Sequence, residues 1–391
     1  MVKKILRPFA AEAPLQVILF IGHHKAGSTS LQDFLARNAA ALAQQGILYP
    51  FTDFEGMAHL AAAAGGQRPR GALPVNVREP HNALAFRMLA ARRKWTLPGY
   101  HKLLPGLAQM QHAIQQQIRF SRPHTVILAA EVFANFGTYG TALIEELAGG
   151  FPGAEFTVVA TLRRIDDYLA SWHGQRLKFG HRVKALRRGG GEDYFRGIHF
   201  DYRRMLEAWL QALPEAQLIL RDYADVQAGG GSVADFFAQT GLVLPKGLAP
   251  ERRENDSLHR AAYEIVLKGN RRLPPEQADR LRQALARQTP RLKLPASSSV
   301  ELFGAARRAR LAERFAPVDA WLGALDGRAG FFAGLDGILA ERPVPEAGAC
   351  GQLLAQLETR PDWCGGDADL QAIAALCAQW AANSAQQAGA G

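Results

Sequence analysis

The sharpest chemical signal lies in one short run, Gly22-His-His-Lys-Ala-Gly-Ser-Thr-Ser30. Two glycines bracket a lysine, and three hydroxyl side chains follow. Such a loop, placed between a strand and a helix, presents backbone N–H groups and a positive helix end to an anion. A Walker loop reads GxxxxGK[ST]. Gly22 and Gly27 keep that spacing, but Ser28 stands at the lysine position, and the lysine is Lys25, two residues before the second glycine. The run keeps a phosphate cradle. The displaced lysine argues against ordinary magnesium-dependent ATP or GTP hydrolysis.

The flanking residues supply the elements such a loop needs. VILFI at 17–21 is a short apolar run, the mark of a buried strand. SLQDFLARNAAALAQQG follows, with Leu31, Phe34, Leu35 and Leu42 on one helical face and Gly46 as its stop. Further strands are expected at 47–50 (ILYP), 125–130 (TVILAA), 155–162 (EFTVVATL) and within AQLILRDY. Helices are expected near 81–95 and 104–119, in RRIDDYLASWHGQRLKF, in DYRRMLEAWLQAL with Met205, Leu206, Trp209, Leu210 and Leu213 inward, and in SVADFFAQTGL. Apolar strands alternating with helices predict an α/β fold, a P-loop-like three-layer architecture with a central, mainly parallel sheet flanked by helices. Residues 64–80 read as a loop, and 182–191, basic then glycine-rich, as a mobile one. Beyond about residue 255 the chain turns helical and Arg-rich. The expected division is an α/β domain over 1–345 and a helical or partly disordered extension over 346–391, with one helix near 367–386.

With 391 residues the chain can bury a sizeable core, and 48% hydrophobic against 21% charged residues excludes a fully disordered chain. The formal charge of +10 points to an anionic ligand without choosing among nucleotide, acidic glycan, nucleic acid and membrane surface. No nucleic-acid motif accompanies it. No run reaches the roughly 18–20 apolar residues of a membrane span, while contact with a membrane surface stays open. The start MVKKILRPFA is basic then apolar, but no cleavage-site pattern follows, so no export signal is read. Cys350, Cys364 and Cys377 are too few and too clustered for a disulfide framework and fit no zinc spacing, which points to the reducing cytoplasm.

KAGSTSLQDFL resembles the 5′-phosphosulfate loop of sulfotransferases, PKTGTTxLxxFL, enzymes that use 3′-phosphoadenosine 5′-phosphosulfate (PAPS) as cosubstrate. The resemblance implies that Lys25 contacts the 5′-phosphate and the bridging oxygen, and that Ala26, Gly27, Ser28, Thr29 and Ser30 line the phosphate. His24 stands where that family has proline. The family also carries a 3′-phosphate site, an arginine at a strand end and a serine eight residues later. VVATLRRIDDYLAS supplies Arg163 and Ser171 at that spacing, with Arg164 as the neighbouring alternative. DDYLASWHGQRLK is similar to a pattern DDxxxSxYxQxxK of bacterial glycan sulfotransferases, and RRENDSL at 252–258 is similar to an Asn-x-Ser stretch of theirs. The likeness covers about residues 15–325.

It implies sulfuryl transfer to a carbohydrate hydroxyl of a polysaccharide, lipopolysaccharide or lipid-linked glycan, with no metal required. Lys25 stabilises the leaving phosphate. The general base comes from a strand end or a nearby loop: Glu131, directly after TVILAA, is the first candidate, and His59 in GMAHLAAA the second. Arg176, Lys178, Arg182, Lys184, Arg187 and Arg188 form a basic segment suited to guiding an acidic acceptor, and Arg253 or Asn255 is placed to approach the nucleotide. A P-loop kinase or NTPase, or a non-catalytic nucleotide- or polyanion-binding protein on the same scaffold, remains the alternative.

Overall fold

The strands form where the apolar runs stand: β1 Gln16–Gly22, β2 Ile47–Leu48, β3 Thr125–Ala129, β4 Glu155–Leu162 and β5 Gln217–Asp222. The computed structural model describes residues 13–67, 71–252 and 257–389. Arg253 and Asn255, and most of the 252–258 stretch, lie outside those residues. The five strands make one parallel sheet in the order β2-β3-β1-β4-β5. Ile18 sits opposite Ile127 on one side and Thr157 on the other, so β1 is central. Its side chains are buried on both faces, which is why it reads as a continuous apolar run. A short parallel pair, β6 Val300–Glu301 and β7 Val344–Pro345, forms a second sheet.

The helices, in chain order, begin with α1 Ser28–Arg37, α2 Ala39–Ala43, α3 Phe54–Ala64, α4 Val75–Arg78, α5 Pro80–Arg93 and α6 Leu107–Ser121. Next come α7 Ala142–Ala148, α8 Ile165–Lys178, α9 Tyr202–Ala212, α10 Tyr223–Ala228 and α11 Ser232–Thr240. The last are α12 Tyr263–Arg272, α13 Pro275–Gln288, α14 Ala305–Leu325, α15 Glu346–Glu358 and α16 Ala368–Gly389. The fold is thus three-layer α/β of the P-loop-like kind, with the parallel sheet at its centre. The strand order reverses beside β1. In such sheets ligands bind beyond the carboxyl ends of the strands, at this reversal.

The chain forms two compact units, Met1–Leu162 with Arg204–Glu254, and Arg163–Arg203 with Asn255–Gly391. In the first, Leu31, Phe34, Leu35 and Leu42 face one core with Phe20, Phe51, Ile127 and Phe236, as their spacing predicts. Trp209 of α9 stacks on Phe136, ring centroids 6.2 Å apart. In the second, Tyr202 and Phe200 pack edge-on against Phe315 of α14.

Two sequence expectations need correction. Residues 64–80 are not all loop: Pro74 leads into the short helix α4. Nor is 182–191 an open mobile segment. Ala185 and Leu186 are buried, and a Cβ on Gly190 would lie 2.1 Å from the Lys184 carbonyl oxygen. Arg187 is tied to Glu264 (2.6 Å) and to Glu346, with its guanidinium over Trp380. Ion pairs and packing therefore hold a segment that composition alone marks as solvated.

Candidate anion loop and its flanking carboxylate

The loop starts where β1 ends. The His23 N–H donates to the Thr161 carbonyl (2.7 Å), fastening the first loop residue to β4. Gly22, Lys25 and Gly27 then take positive φ of 103°, 60° and 85°. Lys25 is the only one of these with a Cβ, and a non-glycine residue held in this region marks a constrained turn. Gly27 is required twice over: its φ favours glycine, and a Cβ there would lie 2.0 Å from the Ser232 hydroxyl. Gly27 caps α1, whose first turn carries no acidic side chain, so the helix's own sequence leaves the positive end of its dipole without a local countercharge.

Around this loop the hydroxyls differ. Ser28 is buried, and the Ser30 hydroxyl donates to the Arg252 carbonyl (3.3 Å). His24 lies within hydrogen-bonding distance of the Asn135 amide (3.4 Å). Burial and then the Lys25 charge push His24 down to about 4, so it is a neutral ring near pH 7.

Glu131 stands against the loop from the neighbouring strand. The Ala130 N–H donates to the Phe20 carbonyl (2.9 Å), and a Cβ on Gly22 would lie 3.1 Å from the Glu131 Cα. Glycine at 22 lets the carboxylate strand end come this close. Gln32 of α1 donates to Glu131 Oε2 (3.1 Å) and to the Ala129 carbonyl (3.0 Å). One helix therefore carries both the loop's hydroxyls and the side chain that orients Glu131. His59 lies elsewhere: it is on α3, its Nε2 is 3.0 Å from the Ala36 carbonyl, and its ring is edge-on to Phe51.

In the second unit, Arg163 and Ser171 flank and occupy α8. The Arg163 carbonyl accepts from the Tyr202 hydroxyl (2.7 Å). Arg164 pairs with Asp166 through two hydrogen bonds, 2.8 and 3.1 Å. Asp166 also meets Arg308 (3.3 Å) and Arg342 (3.2 Å), and Asp167 meets Arg260 (3.6 Å). Burial foremost lowers Arg260, and the Arg163 and Arg342 charges add to that. The start of α8 is thus richer in guanidinium than in carboxylate, and its dipole adds to the same sign. Of the basic segment, Arg176 lies over the Tyr194 ring, Arg182 donates to the Asn270 carbonyl and Lys184 sits 3.8 Å from Asp193.

Sequence reading missed Gln32 and Ser232. Gln32 lies four residues after Ser28 on one helix face, a usable signal. Ser232 opens α11, and only the fold brings it over Gly27. Among the described residues no cluster of His, Cys, Asp and Glu is arranged to hold a metal ion. Among the same residues no helix is long and apolar enough to cross a membrane.

Together the sheet and loop define a P-loop-like α/β chain with a candidate anion site at the end of its central strand. No family model matches the chain. An uncharacterized protein of Archaeoglobus fulgidus is 28% identical over 124 residues, 32% of this chain. The chain's match spans about a third of that curated relative's length, 33%. A solved sulfotransferase from Alicyclobacillus acidocaldarius is 13% identical with a TM-score of 0.41, over 80% of this chain and 95% of that one.

Proposed function

We propose that the chain is a PAPS-dependent sulfotransferase acting on a carbohydrate hydroxyl. The observation that carries this reading is Glu131 packed against Gly22, which sets a candidate base beside a lysine-bearing anion loop. The donor set suits a phosphosulfate: Lys25 and the α1 N–H groups, with Ser28, Thr29 and Ser30, and no carboxylate in the first turn of α1. Arg163 and Ser171 take the 3′-phosphate; Arg164 is left to Asp166. The bound nucleotide supplies an activated sulfuryl group.

Sulfuryl transfer asks the protein mainly for positioning and charge. As the acceptor oxygen bonds to sulfur, Glu131 takes its proton. Lys25 meets the negative charge that gathers on the bridging oxygen as the sulfur–oxygen bond breaks. His59 is the second candidate, because it stands on α3 against the Ala36 carbonyl, whereas Glu131 packs against Gly22 of the loop. We place the reaction in the reducing cytoplasm, where three buried free thiols persist. The test is formation of 3′-phosphoadenosine 5′-phosphate from PAPS in the presence of a panel of polysaccharides and lipopolysaccharides. Acceptor-dependent release that disappears in Glu131→Gln supports the reading. No release with any acceptor, or full activity in Glu131→Gln, contradicts it.

A further inference from the structure

The basic residues that follow α8 are not all alike. Arg187 is neutralised by Glu264 and Glu346, whereas the turn before it meets the carboxyl end of α12 with its charge intact. Asn270, 5% exposed, joins the two. Its amide donates to the Leu177 carbonyl (2.8 Å) and the His181 carbonyl (3.3 Å), and its Oδ1 accepts from Arg282 Nη1 (2.7 Å). Its own carbonyl accepts from Arg182 Nε (3.1 Å). Arg271, one residue on, donates from Nη2 to the Val183 carbonyl (2.7 Å). Gly180 gives Arg282 its room: a Cβ there would lie 3.4 Å from Arg282 Nη1. Guanidiniums from both sides therefore lace the turn to the helix end. Arg182 and Arg271 are bonded to carbonyl oxygens, which fix a guanidinium without cancelling its charge. Among the described residues, Arg182, Arg271 and Arg272 have no carboxylate within ion-pair distance, while Arg282 has Asp279 at 3.1 Å. All three are exposed. The carboxyl end of α12 sets about half a negative charge against them, too little to offset three cations.

We propose that this surface, Arg182, Arg271 and Arg272 gathered around Asn270, docks an acidic polysaccharide. Its part in the reaction, holding the chain that carries the acceptor hydroxyl, rests on the sulfotransferase reading above; the docking does not. A guanidinium offers paired N–H groups that fit a carboxylate or sulfate group, and two of these forks are already fixed by the carbonyls they meet. Groups fixed in advance lose less freedom when a partner binds. Exposed ion pairs are individually weak, so the set rewards a partner with several anionic groups along one chain. That is the chemistry of a polyuronate or a sulfated polysaccharide rather than of a single small anion. A nucleic acid also carries serial charge, but no nucleic-acid motif accompanies this surface. Lys184, exposed as well, lies 3.8 Å from Asp193 and adds less.

The experiment measures binding of the full chain to dextran sulfate, alginate, uncharged dextran and a DNA duplex at one ionic strength. Wild type is compared with the triple variant Arg182→Gln, Arg271→Gln, Arg272→Gln and with Arg272→Gln alone. A second triple, Arg93→Gln, Arg119→Gln, Arg314→Gln, removes the same charge from exposed positions elsewhere. Wild type binds the two acidic polysaccharides and not dextran. The first triple weakens that binding about tenfold, while Arg272→Gln alone and the second triple each weaken it by no more than about twofold. Arg272→Gln breaks none of the hydrogen bonds around Asn270, so a loss there above that of the second triple's average per charge reads the surface even if the first triple disturbs the turn. No binding by wild type, equal weakening by the two triples, or none by the first, overturns the docking surface. Tighter binding of the duplex than of either polysaccharide overturns the choice of partner. Polysaccharide binding lost in the first triple, without any sulfuryl transfer, supports the surface and removes the sulfotransferase reading instead. Where transfer is measured, the first triple raises KM for the acidic acceptor and leaves kcat unchanged; an unmoved KM overturns the part in the reaction.

Discussion

Lys25 and Gly27 show how single residues set the loop. Lys25 holds a left-handed backbone two residues before the glycine that caps α1. In the proposed reaction, replacing it with alanine removes the charge assigned to the leaving oxygen. By analogy with deleting one oxyanion donor, turnover in Lys25→Ala falls by about 10²–10³, while the fold, read by circular dichroism, stays intact. Gly27→Ala does the opposite. It must fit a methyl group 2.0 Å from the Ser232 hydroxyl at a φ of 85°. Strain and overpacking together cost about 2–4 kcal/mol, read as a lower urea midpoint, and nucleotide binding weakens with it. A Gly27→Ala protein as stable as wild type would contradict the packing described. The loop's place between β1 and α1 was legible in the sequence because the apolar run, the two glycines and the helical period after them state it locally.

At the scale of elements, buried parallel strands read as unbroken apolar runs, so the sheet was legible from VILFI, TVILAA and EFTVVATL. The face of α1 was legible from its helical period. What the sequence did not disclose is which distant elements meet. Asn82 reaches Val132 across 50 residues, and Gln32 reaches Glu131 across 99. No local pattern encodes either contact. The 182–191 segment misled for a related reason: Arg187 looks solvated until Glu264 and Glu346 arrive from elsewhere in the chain. Glycine in α8 is another such case. A Cβ on Gly174 would lie 2.0 Å from the Tyr263 hydroxyl, which itself donates to the Ala170 carbonyl (3.0 Å). Gly174→Ala therefore pries α12 from α8 and costs about 1–3 kcal/mol. A thermal midpoint equal to wild type would show that the two helices are not so tightly joined.

Over the whole molecule, buried neutral histidines make acid the weak side of stability. Burial pushes His24 down to about 4 and His81 and His173 down to about 3; Lys25 adds to the first, and Arg176 and Arg187 to the last. An unfolded histidine binds its proton near 6.5, so between these values the unfolded chain holds more protons than the folded one. Stability is thus present above about pH 6.5 and declines as pH falls toward 3–4. The urea midpoint is accordingly lower at about pH 5 than at about pH 7, and a flat profile would contradict this. The positive charge of the chain belongs to the same scale, since it favours a polyanionic nucleotide. The most direct measurement is calorimetric titration with 3′-phosphoadenosine 5′-phosphate, beside ADP and magnesium-ATP, for wild type, Lys25→Ala and Arg163→Ala. The account predicts a clear preference for the 3′-phosphorylated nucleotide, weakened in Lys25→Ala and lost in Arg163→Ala. Preference for magnesium-ATP, or binding to none of the three, would contradict it.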